Sequence, residues 1–324
     1  MASRPHLQKL VERARLLPAL PAAIVFPVDR DSLQLALSGA FAGYLAPTLV
    51  GPEARIRDAA NRAGLDISRL DVVDTPDEPR EAAVRAAALV REGQLHALIR
   101  GSLSHEDLLG PVADAANGLR TERRLSHAAF LDLPGQPRFL LVADASLNVA
   151  PNLAAKKDIV FNTVRLASAL GVAMPRVALL AAKGTVAPAF PSTSEAAALK
   201  SMSAQHAFPG ALVDGPMTPD VALSPEAARH SGVKSDVAGQ ADVLIAPSME
   251  AATMVVRTLV GVTNGFAAGL VLGASVPVVA PGPKDGIDVR IASCVLASLL
   301  HAARGAADAE PPAPTVDRST RVAA

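Results

Sequence analysis

Tryptophan is absent and tyrosine occurs once in 324 residues, so that aromatic residues make up only 3% of the chain. Such scarcity argues against a base-stacking nucleic-acid platform and against a carbohydrate-type aromatic binding face. Cysteine is nearly absent as well. The single Cys294 excludes an intrachain disulfide and any cysteine-cluster metal site, and this usage fits a reducing cytoplasm. Cys294 lies in an Ala/Leu-rich helical run, where packing rather than nucleophilic attack is its expected role. Net charge is missing too. Lys plus Arg and Asp plus Glu both number 31, so no basic field concentrates nucleic acid and any anion must be held locally. No apolar run reaches membrane-spanning length free of charges or prolines, and the opening MASRPHLQKLVERARLLPAL reads as a charged amphipathic helix rather than a secretory signal. The expectation is a soluble cytoplasmic protein with neither a membrane nor a nucleic-acid partner.

Familiar phosphate and metal motifs are also lacking. No G-x-G-x-x-G follows the first apolar run and no G-x-x-x-x-G-K-[ST] occurs, so dinucleotide and P-loop readings have no phosphate cradle. The seven histidines show no H-x-x-x-H or H-E-x-x-H spacing, and no metal site is expected. His105, His127 and His206 fall near loops, where a lone histidine is more often solvated than catalytic.

What is present is apolar and repetitive. With 50% hydrophobic and 19% charged residues, the chain can bury cores for two domains. Short β-branched runs at 22–28, 47–51, 70–75, 97–101, 139–144, 176–182, 241–247 and 276–281 alternate with Ala/Leu-rich helical segments. That alternation predicts an α/β fold of parallel or mixed sheets with helices on both faces, and ligands at strand carboxyl ends. Pro134, Gly135 and Pro137 interrupt it. We place a boundary there: residues 1–138 with 281–310 form a first domain, 139–280 a second, and the Ala/Pro-rich 311–324 a flexible tail.

Two stretches offer chemistry. RTERRLSH (120–127) sets Arg120, Arg123 and Arg124 before Ser126 at a strand start, either as a solvated turn or as an anion patch, since guanidinium forks match phosphate oxygens. PVVAPGPKDGIDVRIASCV (277–295) reads as a strand, a Pro/Gly turn with Lys284 and Asp285, and a helix start. Free backbone N–H groups and the helix dipole make such a turn a common place for anion chemistry.

The order of FPVDRDSLQLAL, ALIRGSLSHEDLL, RTERRLSH, VADASLNVAPNLAAKKDIVFNTVRL, PSTSEAAALKSM, VDGPMTPDVALSPEAA and SDVAGQADVLIAPSMEAATM resembles the phosphate acetyl/butyryltransferase family, over about residues 22 to 300. The resemblance implies a two-domain, isocitrate-dehydrogenase-like α/β fold, a cleft between the domains, a first domain closed by the C-terminal helix, and a homodimer. It also implies exchange of a short acyl group between coenzyme A and inorganic phosphate. Coenzyme A is then a substrate, and no resident cofactor or metal is expected. Lys284, Asp285 and Asp288 take catalytic positions by this resemblance, and Arg124, Ser126, Asp144, Asn148, Asp214 and Arg290 bind substrate. The family's Ser-Arg pair falls on Gly282-Pro283, its acetyl-type base on Val289, a central Glu on Gly184 and a Gly-Asn on Ala252-Thr253. These departures leave a second reading open, a catalytically silent relative that binds coenzyme A as a regulatory or interaction protein. An NAD-dependent dehydrogenase on the same superfold is more distant, since the metal-binding carboxylates of decarboxylating members are missing.

By local chemistry alone, Asp144 and Asn148 read equally as turn caps, Asp214-Gly215-Pro216 as an ordinary turn, and Arg290 as a solvated helix residue.

Overall fold

The computed structural model describes residues 4–116 and 118–309. The expected tail at 311–324 lies outside the described residues. The chain alternates strands and helices from the start: α1 (Pro5–Ala14), β1 (Leu20–Val25), α2 (Arg30–Ala42), β2 (Leu45–Gly51), α3 (Glu53–Ala63), β3 (Asp71–Asp74), α4 (Pro79–Arg91), β4 (Ala97–Arg100) and α5 (His105–Ala113). Two adjacent strands follow, β5 (Ser126–Asp132) and β6 (Leu140–Ala143), and then α6 (Leu153–Ala169), β7 (Arg176–Leu180), α7 (Pro191–Ala204), β8 (Leu212–Met217), α8 (Pro219–Leu223), α9 (Pro225–Ser231), β9 (Val243–Ile245) and α10 (Met249–Thr263). The last elements are β10 (Phe266–Leu272), β11 (Val278–Val279) and α11 (Ile287–Ala309). Among the described residues no helix is long and apolar enough to cross a membrane.

All the strands join one sheet, in the order β3-β2-β1-β4-β11-β10-β5-β6-β9-β7-β8. Two wings are internally parallel, β3-β2-β1-β4-β11 and β6-β9-β7-β8. Between them β10 runs antiparallel to β11 and β5, and β5 antiparallel to β6. Three reversals in succession mean that the wings point in opposite directions, so the sheet is mixed. It continues without a break past residues 131–139. The eight β-branched runs are all strands; β5, which begins at Ser126 where a strand start is expected, and β8 and β10 are additional to them. Their sequences, SHAAFLD, LVDGPM and FAAGLVL, carry Ala, Gly and Pro where β-branched residues are expected.

Alternation along the strands gives the sheet two faces, and the faces are packed differently. On one face a single apolar cluster joins α1, α2, α3, α6, α7 and α11 to strands of both wings, through residues such as Leu33, Ile56, Phe130, Leu166, Leu199 and Leu296. On the other face the core is divided. One cluster seats α4 and α5 on the first wing, and another seats α8 and α10 on the second. Between those clusters, the central strands present His127 and Ala129 of β5 and Gly269 of β10, in alternation with Leu131 and Val271.

Candidate active site

Both wings end over this central strip. Val278 of β11, Val271 of β10 and His127 of β5 share one cross-strand row. The next residue of β5, Ala128, pairs with Ala143, the last residue of β6. The chain therefore leaves β11 in one direction and β6 in the other from nearly the same place. Loops from two oppositely directed parallel wings meet here, the kind of reversal at which α/β sheets bind ligands.

From the first wing comes a cluster of buried charge. Arg100 closes β4 and is 7% exposed; its Nη1 donates to Leu103 O at 2.7 Å and its Nη2 to Pro281 O. Arg290, 6% exposed on the first turn of α11, donates from Nε to Asp285 O at 3.1 Å. Burial, then the neighbouring Arg290, lowers the Arg100 pKa, while Asp285 and Asp29 oppose the shift. Asp29 caps α2, accepting from Ser32 N at 2.7 Å, and also accepts from the Ser102 hydroxyl. Burial works to raise its pKa, but bonds from Ser102 and Ser32 and the charge of Arg290 outweigh it and leave the carboxyl below its ordinary value. The turn at 281–286 is laid over these cations. Asp285 Oδ2 accepts from Gly282 N at 2.7 Å, and Asp285 N donates to Gly282 O at 3.1 Å. Pro283 and Lys284 stand exposed at its tip.

From the second wing comes a loop built on Asp144, which is 2% exposed. Its Oδ1 accepts from Ser146 N and Leu147 N, each at 2.9 Å, and its Oδ2 from Asn148 Nδ2 at 2.5 Å. Asn148 Nδ2 also reaches Leu125 O at 2.9 Å, tying the loop to the start of β5. Ser126 is fully buried on the opposite face and accepts from Asn162 Nδ2 at 2.9 Å. Arg124 is exposed; with Leu147, Asn148 and the Asn152 cap of α6 it lines a cavity of about 220 Å³. Its guanidinium and the free N–H groups of a helix start give that cavity the character of an anion pocket.

His127 lies between the two groups. Its ring is packed over Gly269, where a Cβ would stand 2.5 Å from Nε2. Its Nδ1 is buried without a hydrogen-bond partner, as are Arg100 Nε and Arg290 Nη1. Burial, with some help from His105, lowers the His127 pKa against the opposing pull of Asp144 and Asp285. His105 is fixed at the α5 N-terminus, with Nε2 3.0 Å from Ala280 O.

The structure thus brings together Arg290 and Asp285, with Lys284 at the tip of the same turn, and on the other side Arg124, Asn148 and Asp144. Ser126 sits behind the sheet. Asp288 pairs with Arg4 at 3.2 Å, away from the cluster. Asp214, on the edge strand β8, pairs with Lys200 at 2.6 Å. Arg290 is buried and not solvated, because α11 turns it inward onto the β4 end. The sequence does not single out Arg100, Asp29 or Ser102, and it gives His127 only as a loop histidine expected to be solvated; a charge closing the apolar run ALIR is the one signal for Arg100. Among the described residues no three His, Cys, Asp or Glu side chains gather as metal ligands.

Residues 79–283 match the family described as phosphate acetyl/butaryl transferase. A phosphate acetyltransferase of Rhizobium meliloti is 43% identical over 299 residues, covering 92% of this chain and 94% of its own length. A phosphate butyryltransferase of Clostridium beijerinckii is 32% identical over 297 residues, covering 92% and 98%. Among solved structures, a branched-chain phosphotransacylase from Enterococcus faecalis superposes with a TM-score of 0.76 at 25% identity, over 87% of this chain and 99% of that one.

Proposed function

The chain belongs to the phosphate acetyl/butyryltransferase family, and we propose that it exchanges a short acyl group between the thiol of coenzyme A and inorganic phosphate. It is a phosphate acyltransferase. The observation that carries this is 43% identity to a phosphate acetyltransferase along 94% of that enzyme's length; the meeting of cationic and anion-binding groups from both wings supports it.

The reaction needs donors for the acyl phosphate, support for charge developing at the carbonyl, and a way to ionise the thiol, which is mostly protonated at neutral pH. In this proposal Lys284 offers the exposed cation on the turn, Asp285 and Arg290 hold the turn's shape, and Asp144 with Asn148 holds the facing loop. Arg124 and the α6 N-terminus receive phosphates of coenzyme A. Asp288 and Asp214 are engaged in ion pairs elsewhere, and we assign them no contact with substrate; Ser126 supports the start of β5 from behind. Transfer is direct, within a ternary complex. Cys294 is fully buried and burial pushes its thiol up to about 12, so it forms no acyl-enzyme. The same reading includes a homodimer, a cytoplasmic location, a first domain of residues 1–138 with 281–310 and a second of 139–280, and no resident cofactor.

Purified protein given acetyl or butyryl phosphate and coenzyme A is expected to form thioester, reversibly with phosphate, and with a KM for coenzyme A that rises with salt as Arg124 is screened. Binding of coenzyme A without turnover on either acyl phosphate would reinstate the silent relative.

A further inference from the structure

The proposed reaction requires a proton acceptor, and the turn at 281–286 presents no carboxylate for the purpose. Position 289, where the resemblance sets an acetyl-type base, is valine, and Asp288 is held by Arg4 at 3.2 Å. Asp285 is committed to Gly282 N at 2.7 Å, and Asp144 to three donors of its own loop. One titratable side chain of the central strip has no hydrogen bond to satisfy it. His127 stands on the row where the wings end and is half-buried; its Nδ1 is closed off and unpartnered, which leaves Nε2 as the ring nitrogen that can meet a substrate. Gly269 makes room for the ring, since a Cβ there would meet Nε2 at 2.5 Å and Cε1 at 2.7 Å.

We propose that His127 is the base that takes the proton from the coenzyme A thiol, an inference that rests on the acyl-transfer reading above. The sulfur proton passes to the unprotonated imidazole nitrogen. The sulfur electron pair then forms the C–S bond to the acyl carbon, the C–O bond to phosphate breaks with its electrons leaving on oxygen, and the imidazolium returns its proton to the departing phosphate. The groups that face His127 fit this cycle. Asp144, just after β6, and Asp285 from the turn before α11 favour the imidazolium once formed, His105 from α5 opposes it, and β10 faces it with the uncharged Val271 and Gly269. Burial keeps the ring neutral in the resting state, which is the form that accepts a proton.

The test compares wild type with His127→Asn and His127→Gln, following thioester formation from pH 6 to 9 and coenzyme A binding by calorimetry. At neutral pH both variants should lose about 10² to 10⁴ in kcat/KM, the usual contribution of a general base, with binding nearly unchanged. The loss should shrink about tenfold per pH unit toward the thiol's own pKa of about 8.5, because an ionised thiol needs no base. Wild-type activity should fall as acid protonates the ring, below a pKa depressed from the ordinary value of about 6.5. A variant within about threefold of wild type, or a loss that stays constant across this range, overturns the role of His127 alone. Wild type that binds coenzyme A but transfers no acyl group overturns the functional reading and this inference together. If His127→Asn unfolds the strand, the longer His127→Gln carries the same comparison, with coenzyme A binding as the criterion of folding.

Discussion

Arg100 shows how a single side chain can organise the first wing's end. Bringing two guanidiniums into the interior side by side is costly unless carbonyls and carboxylates answer them. Here Leu103 O and Pro281 O answer Arg100, Asp285 O answers Arg290, and Asp29 and Asp285 supply opposite charge to Arg100. Arg100 thereby fastens the β4–α5 loop to the residue that begins the 281–286 turn. Replacing it with methionine keeps the apolar stem but strands two carbonyls, a cost of about 1 to 3 kcal/mol for a buried unsatisfied group. Relief of the repulsion with Arg290 offsets part of that. We expect Arg100→Met to lower thermal stability modestly and kcat more than coenzyme A binding, as the turn loosens. Arg100→Lys, able to reach one carbonyl at a time, should recover part of both. Full kcat in the methionine variant would show that the turn holds its position without Arg100.

At the scale of elements, the turn at 281–286 is where the resemblance sets a Ser-Arg pair on Gly282-Pro283, and its geometry tells whether such a pair can be put there. Gly282 does not occupy a left-handed conformation, and a Cβ there would sit 3.4 Å from Asp285 Oδ2, an ordinary contact. Pro283 is exposed and faces no packing constraint. Gly282→Ser with Pro283→Arg should therefore fold normally and present a hydroxyl and a guanidinium beside Lys284. A well-aimed donor is worth about 10² or more in rate, so kcat/KM with acyl phosphate should rise; an unchanged value would mean that Lys284 already supplies what the pair would add. The turn, the strands rich in Val, Ile and Leu, and the flanking Lys284 and Asp285 were all legible, because local pattern determines them. The strand β10 was not, nor was β5 beyond its start at Ser126. Their alanines and glycines are chosen by what crosses them: Ser293 of α11 accepts from Gly269 N at 3.1 Å, and His127 lies on the other side of the same residue. His127 was read as an unremarkable loop histidine for the same reason, since only the pairing of β5 with β10 and β6 shows that both wings end on it.

The whole molecule is held by an asymmetry between the two faces of its sheet. One face has separate cores under α4–α5 and α8–α10, which leaves the strip around His127 between them. The other has a single core spanning both wings, and α11 lies across it, touching α1, α2, α6, β10, β11 and β4. A division on one side is therefore compatible with continuity on the other, and the same long helix that carries Arg290 to the site also binds the wings together. Val295, Leu296, Leu299 and Leu300 of α11 are each no more than 3% exposed. At about 1.5 to 3 kcal/mol for each such buried side chain, they account for as much stability as an entire domain commonly has, about 5 to 15 kcal/mol. A chain ending at residue 286 should consequently lose cooperative folding in both wings, and residues 1–138 alone should not persist as a stable fragment under limited proteolysis. In the intact protein the buried Cys294 gives an internal reporter of the same coupling. Its labelling by a thiol reagent should begin only with the loss of helical circular dichroism, because the thiol becomes accessible and ionisable only when α11 leaves the shared core. Labelling that runs ahead of the helical transition would mean that α11 detaches as a separate unit, and the wings would then have to be joined by the sheet alone.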